Sequence, residues 1–214
     1  MDDALLEKGL AGLKLLSDQN LSLLTRYIEE IERFNPAYGL VKVRDRKELI
    51  TKHILDSLAP LEIIKEKITK SKGSGKRRIA DVGSGAGLPG LPLAICMSEV
   101  EFTLIERMGR RAGFLLNTLA VLGLSNVRVE ENEMEKSAPA SCDLVVFRAY
   151  KPLDKKILKG LLRLLKPGGF LAVYIGQRQS VEEEMACLTN VNWELFPLKV
   201  PCLKDERHLL VVYS

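Results

Sequence analysis

Between Asp81 and Gly90 the chain reads Asp-Val-Gly-Ser-Gly-Ala-Gly-Leu-Pro-Gly. The run Arg78-Ile79-Ala80 before it reads as a buried strand, and Leu91 to Met97 after it reads as the start of a helix. Strand, glycine-rich turn and helix N-terminus in that order form a βα unit whose turn offers bare backbone to a ligand. Glycine is needed where a Cβ would block close approach or where φ must be positive. The simplest alternative is a tight βα turn with no ligand, but alternating glycines behind an acid exceed what such a turn needs.

Gly85-x-Gly87-x-x-Gly90 matches the dinucleotide fingerprint. In a dinucleotide site the strand runs directly into the first glycine. Here the strand ends in Asp81, and Gly83 precedes the matched triplet. Asp81-x-Gly83-x-Gly85-x-Gly87 instead resembles the first motif of S-adenosylmethionine-dependent methyltransferases. That cofactor has no pyrophosphate to place on a helix N-terminus. It has an ammonium, which Asp81 can orient directly or through water, and a carboxylate, which glycine amides can receive. Phe102-Thr103-Leu104-Ile105 reads as the next strand, with Glu106 at its end. An acid about twenty residues past the glycines meets a ribose hydroxyl pair in both cofactor classes. A plain acid in the first turn of a helix is the alternative for Glu106.

To about Lys70 the chain reads as helical. Leu5, Leu6, Leu10, Leu13 and Leu16 recur at helical spacing, as do Leu24, Ile28 and Ile31. Phe34-Asn35-Pro36-Ala37-Tyr38-Gly39 reads as a break, and Asp45 as the N-cap of a run through Leu49, His53, Ile54 and Leu58. Residues 1–70 are thus expected to form an N-terminal helical cap, with Lys70 to Lys76 a flexible linker. Residues 71–214 alternate strand and helix. Strands are expected at 78–82, 101–106, 126–130, 142–147 and 169–175, with helices at about 89–98, 108–122 and 154–165. Lys166-Pro167-Gly168-Gly169 stops the last helix. Two final strands, 193–198 and 208–213, have only a loop between them, so they must be antiparallel, at a sheet edge. The expected fold is α/β of the class I, Rossmann-like kind: a seven-stranded, mostly parallel sheet with an antiparallel last strand, plus the helical cap. That ending is usual for methyltransferases and not for dehydrogenases.

A chain of 214 residues can bury one sizeable core with a small appendage. Met1-Asp2-Asp3 lacks the order of a signal peptide, and no apolar run approaches a membrane span. Cys96, Cys142, Cys187 and Cys202 are widely spaced and read as buried small residues of a reducing compartment. With two histidines in the chain, a histidine-based metal site is not expected. The protein is therefore expected in the cytoplasm, without membrane or metal.

In an open α/β sheet, ligands bind outside the carboxyl ends of the strands. Lys70, Lys72, Lys76, Arg77 and Arg78 precede the first strand and so fall at the opposite end, as a solvated linker, although the cluster looks like RNA-binding sequence. Arg107, Arg110 and Arg111 follow the second strand, Arg148, Lys151, Lys155 and Lys156 the fourth, and Arg178 the fifth. These cations share the rim of the glycine turn and point to a phosphate-rich substrate, ordinary helix-surface charge being the alternative. Tyr150, close to the end of the fourth strand, is a candidate platform on which stacking a base contributes about 1–3 kcal/mol. Phe147 reads as core and Trp193 as sheet-edge packing.

Several further stretches carry a resemblance. They are Ala37-Tyr38 with Val43-Arg44-Asp45, His53 to Ser57, Asp81 to Pro92, Arg110-Arg111 through Phe114-Leu115, Phe147-Arg148-Ala149, Gly176-Gln177, and Val200-Pro201 through Glu206-Arg207-His208-Leu209. Over nearly its whole length the chain resembles the bacterial 16S rRNA guanine-N7 methyltransferases, a family long called glucose-inhibited division protein B. The resemblance implies S-adenosylmethionine contacts from Gly83, Leu88, Met134, Glu135 and Arg148, beside Asp81, Gly85 and Gly87, with Glu106 at the ribose. It implies a target guanosine at conventional position 527, near the decoding centre of the small-subunit rRNA, with naked 16S rRNA or a small-subunit precursor as partner of a monomer. Arg110, Arg111, Lys151 and Arg207 are candidate RNA contacts. His53 is either among them or a satisfied structural histidine. The chain departs from the family at Gly39-Leu40-Val41, where Asn-Leu-Thr is usual, at Glu133, often arginine, and at Ile175, usually lysine. The cofactor half is intact and the RNA-facing half altered.

Guanine N7 carries a free lone pair and no proton, so its methylation needs alignment and no dedicated base. The competing expectations are a methyltransferase acting on another RNA or a small molecule, a nicotinamide oxidoreductase, and a non-catalytic RNA-binding module.

Overall fold

Period-two alternation sorts the sheet residues between two layers. The computed structural model describes residues 2–70, 75–148, 154–176, 185 and 191–213. Among these, β1 (Arg78–Val82), β2 (Glu101–Glu106), β3 (Val127–Glu131), β4 (Cys142–Arg148), β5 (Leu165–Ile175), β6 (Trp193–Pro197) and β7 (His208–Tyr213) form one sheet. Its order is β3-β2-β1-β4-β5-β7-β6. The strands from β1 to β5 pair in parallel, and β7 is antiparallel to both β5 and β6. The antiparallel strand β7 is therefore internal, and β6 is the edge on that side, where Trp193 stays 37% exposed.

Ile79, Phe102, Leu104, Leu144, Val146, Phe170, Ala172 and Leu209 face one layer, and Ala80, Val82, Ile105, Val145, Leu171, Val173 and Leu210 the other. The first layer holds α6 (Gly90–Cys96), α7 (Gly109–Leu122) and the amino-terminal helices; the second holds α8 (Lys155–Leu164). From β1 the chain steps through β2 to β3 in one direction, and from β4 to β5 in the other. Right-handed crossovers running in opposite directions place their helices on opposite faces, opening a crevice where the direction reverses. That point lies between β1 and β4.

The amino-terminal helices are α1 (Asp2–Gly12), α2 (Asp18–Tyr38), α3 (Arg46–Leu49), a π-helical turn (Ile50–Leu55), α4 (Asp56–Leu58) and α5 (Leu61–Lys70). Leu6, Leu24, Ile28, Ile31, Ile54 and Ile64 from them share one buried cluster with the sheet. Asp45 caps α3 as expected, accepting from the Glu48 amide. The expected break at Phe34 does not occur there: α2 continues through Pro36 and ends at Gly39, whose φ is 59°. Pro36 lies in the last turn, and Phe34 stacks on Tyr38 and Phe114, which holds that turn in place. The Asn35 side chain then accepts from the Val41 amide and directs the exit.

Two further expectations change. β5 starts at Leu165 and not at 169: the step Cys142 to Leu144 on β4 is matched by Leu165 to Phe170, so Pro167-Gly168-Gly169 forms an irregularity inside the strand. A Cβ at Gly169 would sit 2.9 Å from the Asp143 carbonyl. Cys202 is exposed, in a turn where its φ is 63°, whereas Cys142 is buried with its thiol on the Leu164 carbonyl; Cys187 lies outside the described residues.

The basic stretch before β1 is at the far end of the sheet, as expected, yet it is not simply solvated. Buried Asp143 accepts from the Arg78 amide at 2.9 Å and from Lys166 Nζ at 2.8 Å, with Arg77 3.5 Å away. Arg78 also pairs with Glu101. Burial pushes the Asp143 carboxyl up, but these donors outweigh it and hold it below the usual range. Its stabilising contribution is then present above the unfolded carboxylate pKa and is lost as pH falls. Asp143→Asn is expected to lower Tm by several degrees at pH 7, the gap closing below about pH 4. Paired melts from acid to neutral pH check this; a constant gap would assign the loss to packing.

Candidate active site

The carboxyl ends of β1 and β4 meet at the crevice. β1 delivers Asp81 and the glycine turn, in which Gly83, Gly85 and Gly87 have φ of 71°, 59° and 93°. A Cβ at Gly83 would meet only open space, so this residue faces the crevice and its constraint is conformational. Gly90 has the opposite constraint: a Cβ there would lie 2.5 Å from Leu104 Cδ2 and 2.6 Å from Asp81 Oδ2. That closeness lets the Gly90 amide donate to Asp81 Oδ2 at 2.9 Å.

Asp81 is 1% exposed and its Oδ1 has no partner. Burial foremost, with nearby Glu106, pushes its carboxyl up to about 7 despite the Gly90 and Ser84 hydrogen bonds. Glu106, also buried, accepts from the amides of Gly85 and Met108, each at 2.9 Å. Both acids therefore stand behind the turn and tie it down. Each oxygen of Glu106 keeps further acceptor capacity. Tyr27, buried in α2, donates to the Ala86 carbonyl at 2.8 Å and props the turn from the helical side.

Two cavities, each of about 350 Å³, lie at this end of the sheet. The first is lined by Gly83, Ser84, Gly85, Leu88 and Arg111 and closed by Gly39, Leu40 and Val41. The second is lined by Asp56, Tyr174, Ile175, Leu198, Arg207 and His208. Lys42, His53 and Arg148 line both and form the wall between them.

Arg148 fixes that wall. Its Nη2 donates to the Lys52 carbonyl at 2.8 Å, lies 3.3 Å from His53 Nδ1 and stands 3.4 Å from Asp56 Oδ2. Its Nη1 is buried without a partner. Lys52 and His53 belong to the π-helical turn, a local widening often found at functional sites. Burial, then the Arg148 charge, pushes His53 down to about 4, so its imidazole is neutral at physiological pH. On the second cavity's side, Arg207 Nε lies 3.2 Å from Asp56 Oδ1, and Tyr174 donates to the Ser57 carbonyl at 2.8 Å.

The structure thus brings Gly83, Gly85, Leu88, Arg111, His53 and Arg148 around one cavity, and Arg207 around its neighbour. Gly87 is buried in the turn. Met134 and Glu135 line neither cavity. They form a 3-10 turn after β3 (Met134–Lys136), held by Arg163, which donates to the carbonyls of Met134, Glu135 and Ser137. Arg110 is exposed, its guanidinium 5.7 Å from the Tyr38 ring centroid. Glu133 pairs with Lys136 at 3.2 Å, and Ile175 lines the second cavity. Tyr150, Lys151 and Arg178 lie outside the described residues. Tyr27, Tyr174 and Arg163 carried no functional signal beyond their helical or strand spacing. Asp56 lies in the matching stretch His53 to Ser57, which assigns it no role of its own, and three residues after His53 it shares its helix face.

The first cavity suits a ligand with an ammonium and a carboxylate. The glycine turn supplies backbone and Arg111 and Lys42 supply cations, while Asp81 stands behind the turn, outside the lining, with its Oδ1 unpartnered. Among the described residues no group of His, Cys, Asp or Glu is placed to hold a metal ion, and no helix is long and apolar enough to cross a membrane.

Comparison with known proteins agrees with this geometry. The rRNA small subunit methyltransferase G family matches residues 20–210. The chain is 39% identical to the Treponema denticola ribosomal RNA small subunit methyltransferase G, over 99% of this chain and 94% of that protein. It is 41% identical to the Xanthomonas axonopodis pv. citri protein of that name, over 98% and 93%. A SAM-dependent methyltransferase from Aquifex aeolicus shares the fold, with a TM-score of 0.57 at 18% identity over 87% of this chain and 98% of that one. The sheet with its internal antiparallel strand is thus the class I methyltransferase sheet, and the chain belongs to the rRNA small subunit methyltransferase G family.

Proposed function

We propose that the chain transfers a methyl group from S-adenosylmethionine to N7 of a guanosine of 16S rRNA, at the family's usual position. The observation that carries this is the pair of cavities meeting at the wall of Lys42, His53 and Arg148. One cavity takes the cofactor and the other the base, so donor and acceptor meet without mixing.

Asp81 Oδ1 holds the cofactor ammonium, directly or through water. Gly83, Gly85 and Gly87 present backbone to its carboxylate side, Leu88 packs on it, and Glu106 receives the ribose. Arg148 completes the shell from the cavity lining, and Met134 and Glu135, which line neither cavity, join it on the strength of the family resemblance alone. When bound, S-adenosylmethionine supplies an electrophilic methyl on a sulfonium. The guanine N7 lone pair needs no deprotonation, and the wall offers no competent base, since His53 is held near 4. The protein contributes alignment, for which effective molarities of ~10⁵ M or more are attainable.

Arg110, Arg111, Lys151 and Arg207 carry the RNA backbone, with His53 packed at the wall and Tyr150 as base platform. Residues 1–70 act as a helical cap on a methyltransferase core of residues 71–214. The protein works as a monomer in the cytoplasm, where naked 16S rRNA or a small-subunit precursor is its partner.

Asp81→Asn tests the cofactor site in two opposed ways. A carboxyl raised to about 7 stabilises the fold fully below its unfolded pKa, and that contribution is lost as pH rises through 7. The variant is expected to melt higher than the wild type at pH 8 and to bind S-adenosylmethionine at least about tenfold more weakly by calorimetry, a loss of about 1.4 kcal/mol. Unchanged affinity would remove Asp81 from the site. Wild-type affinity should itself decline by up to about tenfold per unit below pH 7.

Mapping 7-methylguanosine in small-subunit rRNA with and without this gene tests the activity; persistence of the mark in the deletion strain would refute it. Arg110→Ala is expected to weaken RNA binding and leave cofactor affinity unchanged. The salt dependence of RNA binding should flatten by roughly 0.7 in log–log slope for one phosphate no longer neutralised. Equal weakening toward RNA and cofactor would move Arg110 into the cofactor shell.

A further inference from the structure

The second cavity holds an acidic residue placed to recognise one edge of a base. Its volume of about 350 Å³ is at the small end for ligand sites and suits a single base. Its walls are partly apolar, from Tyr174, Ile175 and Leu198. Transfer needs N7 in direct contact with the sulfonium methyl where the two cavities adjoin, so N7 of the purine turns toward the side of Lys42, His53 and Arg148. The N1–N2 edge lies across the purine from N7. It must then turn toward residues that line the second cavity alone.

Among those residues, Asp56 has the free acceptor. It is the one carboxylate lining either cavity among the described residues, and it is 3% exposed. Arg207 Nε is 3.2 Å from its Oδ1 as an ion pair, and Oδ1 has no hydrogen-bond partner of good geometry, so the carboxylate keeps acceptor capacity. Tyr174 has already given its hydroxyl proton to Ser57, and the His208 ring is 3.4 Å from the Gly176 carbonyl and 3.5 Å from Glu206. Arg148 and Arg207 flank the carboxylate and fix its orientation.

We infer that Asp56 is a specificity-determining residue, its carboxylate accepting N1–H and the N2 amino group of the target guanine in the second cavity. A carboxylate is acceptor only, and guanine presents two adjacent donors on that edge. Adenine presents a bare N1 there, which would face the carboxylate without a proton between them. A site built around a substrate N–H discriminates strongly against analogues that leave its polar group unpaired. Asp56 also serves the reaction's charge balance. As the N7 lone pair forms the new C–N bond, the S–CH₃ bond breaks with its electron pair going to sulfur, and the positive charge passes to the purine. The N1–H then becomes a stronger donor to the carboxylate.

This assignment rests on the methyltransferase reading, and the test separates the two. Small-subunit rRNA carrying either guanosine or inosine at the target position is assayed with the wild type and with Asp56→Asn, whose S-adenosylmethionine affinity is checked by calorimetry. Inosine keeps N1–H and N7 and lacks only the N2 amino group. The wild type is expected to lose at least about tenfold in kcat/KM on inosine. Asp56→Asn is expected to be slow on guanosine and to show a much smaller inosine penalty. An equal penalty in both proteins would overturn the assignment and leave Asp56 as a support for its arginines. So would equal wild-type rates on the two RNAs, a result that does not require the variant to fold. No methylation of the guanosine RNA by the wild type would instead sink the parent reading.

Discussion

The guanidinium of Arg148 joins the two halves of the chain. It leaves the end of β4, crosses the crevice and binds the Lys52 carbonyl of the π-helical turn, with the Asp56 carboxylate beside it. Apolar packing, which resists separation but tolerates sliding, is supplemented across the boundary between the helices of residues 1–70 and the sheet by polar ties, among them Tyr27 on the Ala86 carbonyl and Tyr174 on the Ser57 carbonyl. The guanidinium adds a directional tie at the place where the two cavities adjoin. A buried charge of this kind is costly to desolvate, so its value lies in specifying geometry more than in net stability. Asp56 offsets the charge, and Arg207 brings β7 into the same network.

The buried acids behind the glycine turn follow a related logic. Asp81 and Glu106 hold backbone amides with one set of lone pairs and keep capacity in reserve. The reserve is paid for in stability, because the Asp81 carboxyl resists ionisation where it sits. Preorganised electrostatics of this sort are costly in the empty protein and useful once a cation arrives.

The fold was largely legible from the sequence because its signals are local. Strand alternation, the Asp45 cap and the turn at 81–90 each declare themselves within a few residues. The boundaries that slipped did so where tertiary packing overrode a local stop: aromatic stacking carries α2 through Pro36, and β4 draws the residues before Phe170 into β5. The glycine turn and Arg148 were readable for the same local reason. Tyr27, Tyr174 and the role of Asp56 were not, because the partners lie far away in the chain: Ala86, Ser57 and the two arginines. The sign reversal at Glu133 is neutralised three residues on by Lys136, on the same short turn. Ile175, by contrast, faces the second cavity and places an apolar wall where the family usually has a lysine.

The position of β7 has a mechanical consequence. Backbone hydrogen bonds bind it on both sides, to β5 and to β6. Local opening begins where such bonds are fewest, at the two edges of the sheet, and on this side the edge is β6. His208 opens β7, one strand inside that edge and level with Ile175 at the end of β5, and Arg207 immediately precedes it. Fraying that starts at Trp193 is absorbed by β6 before it reaches them, so the edge strand serves as a sacrificial margin for the substrate side of the crevice.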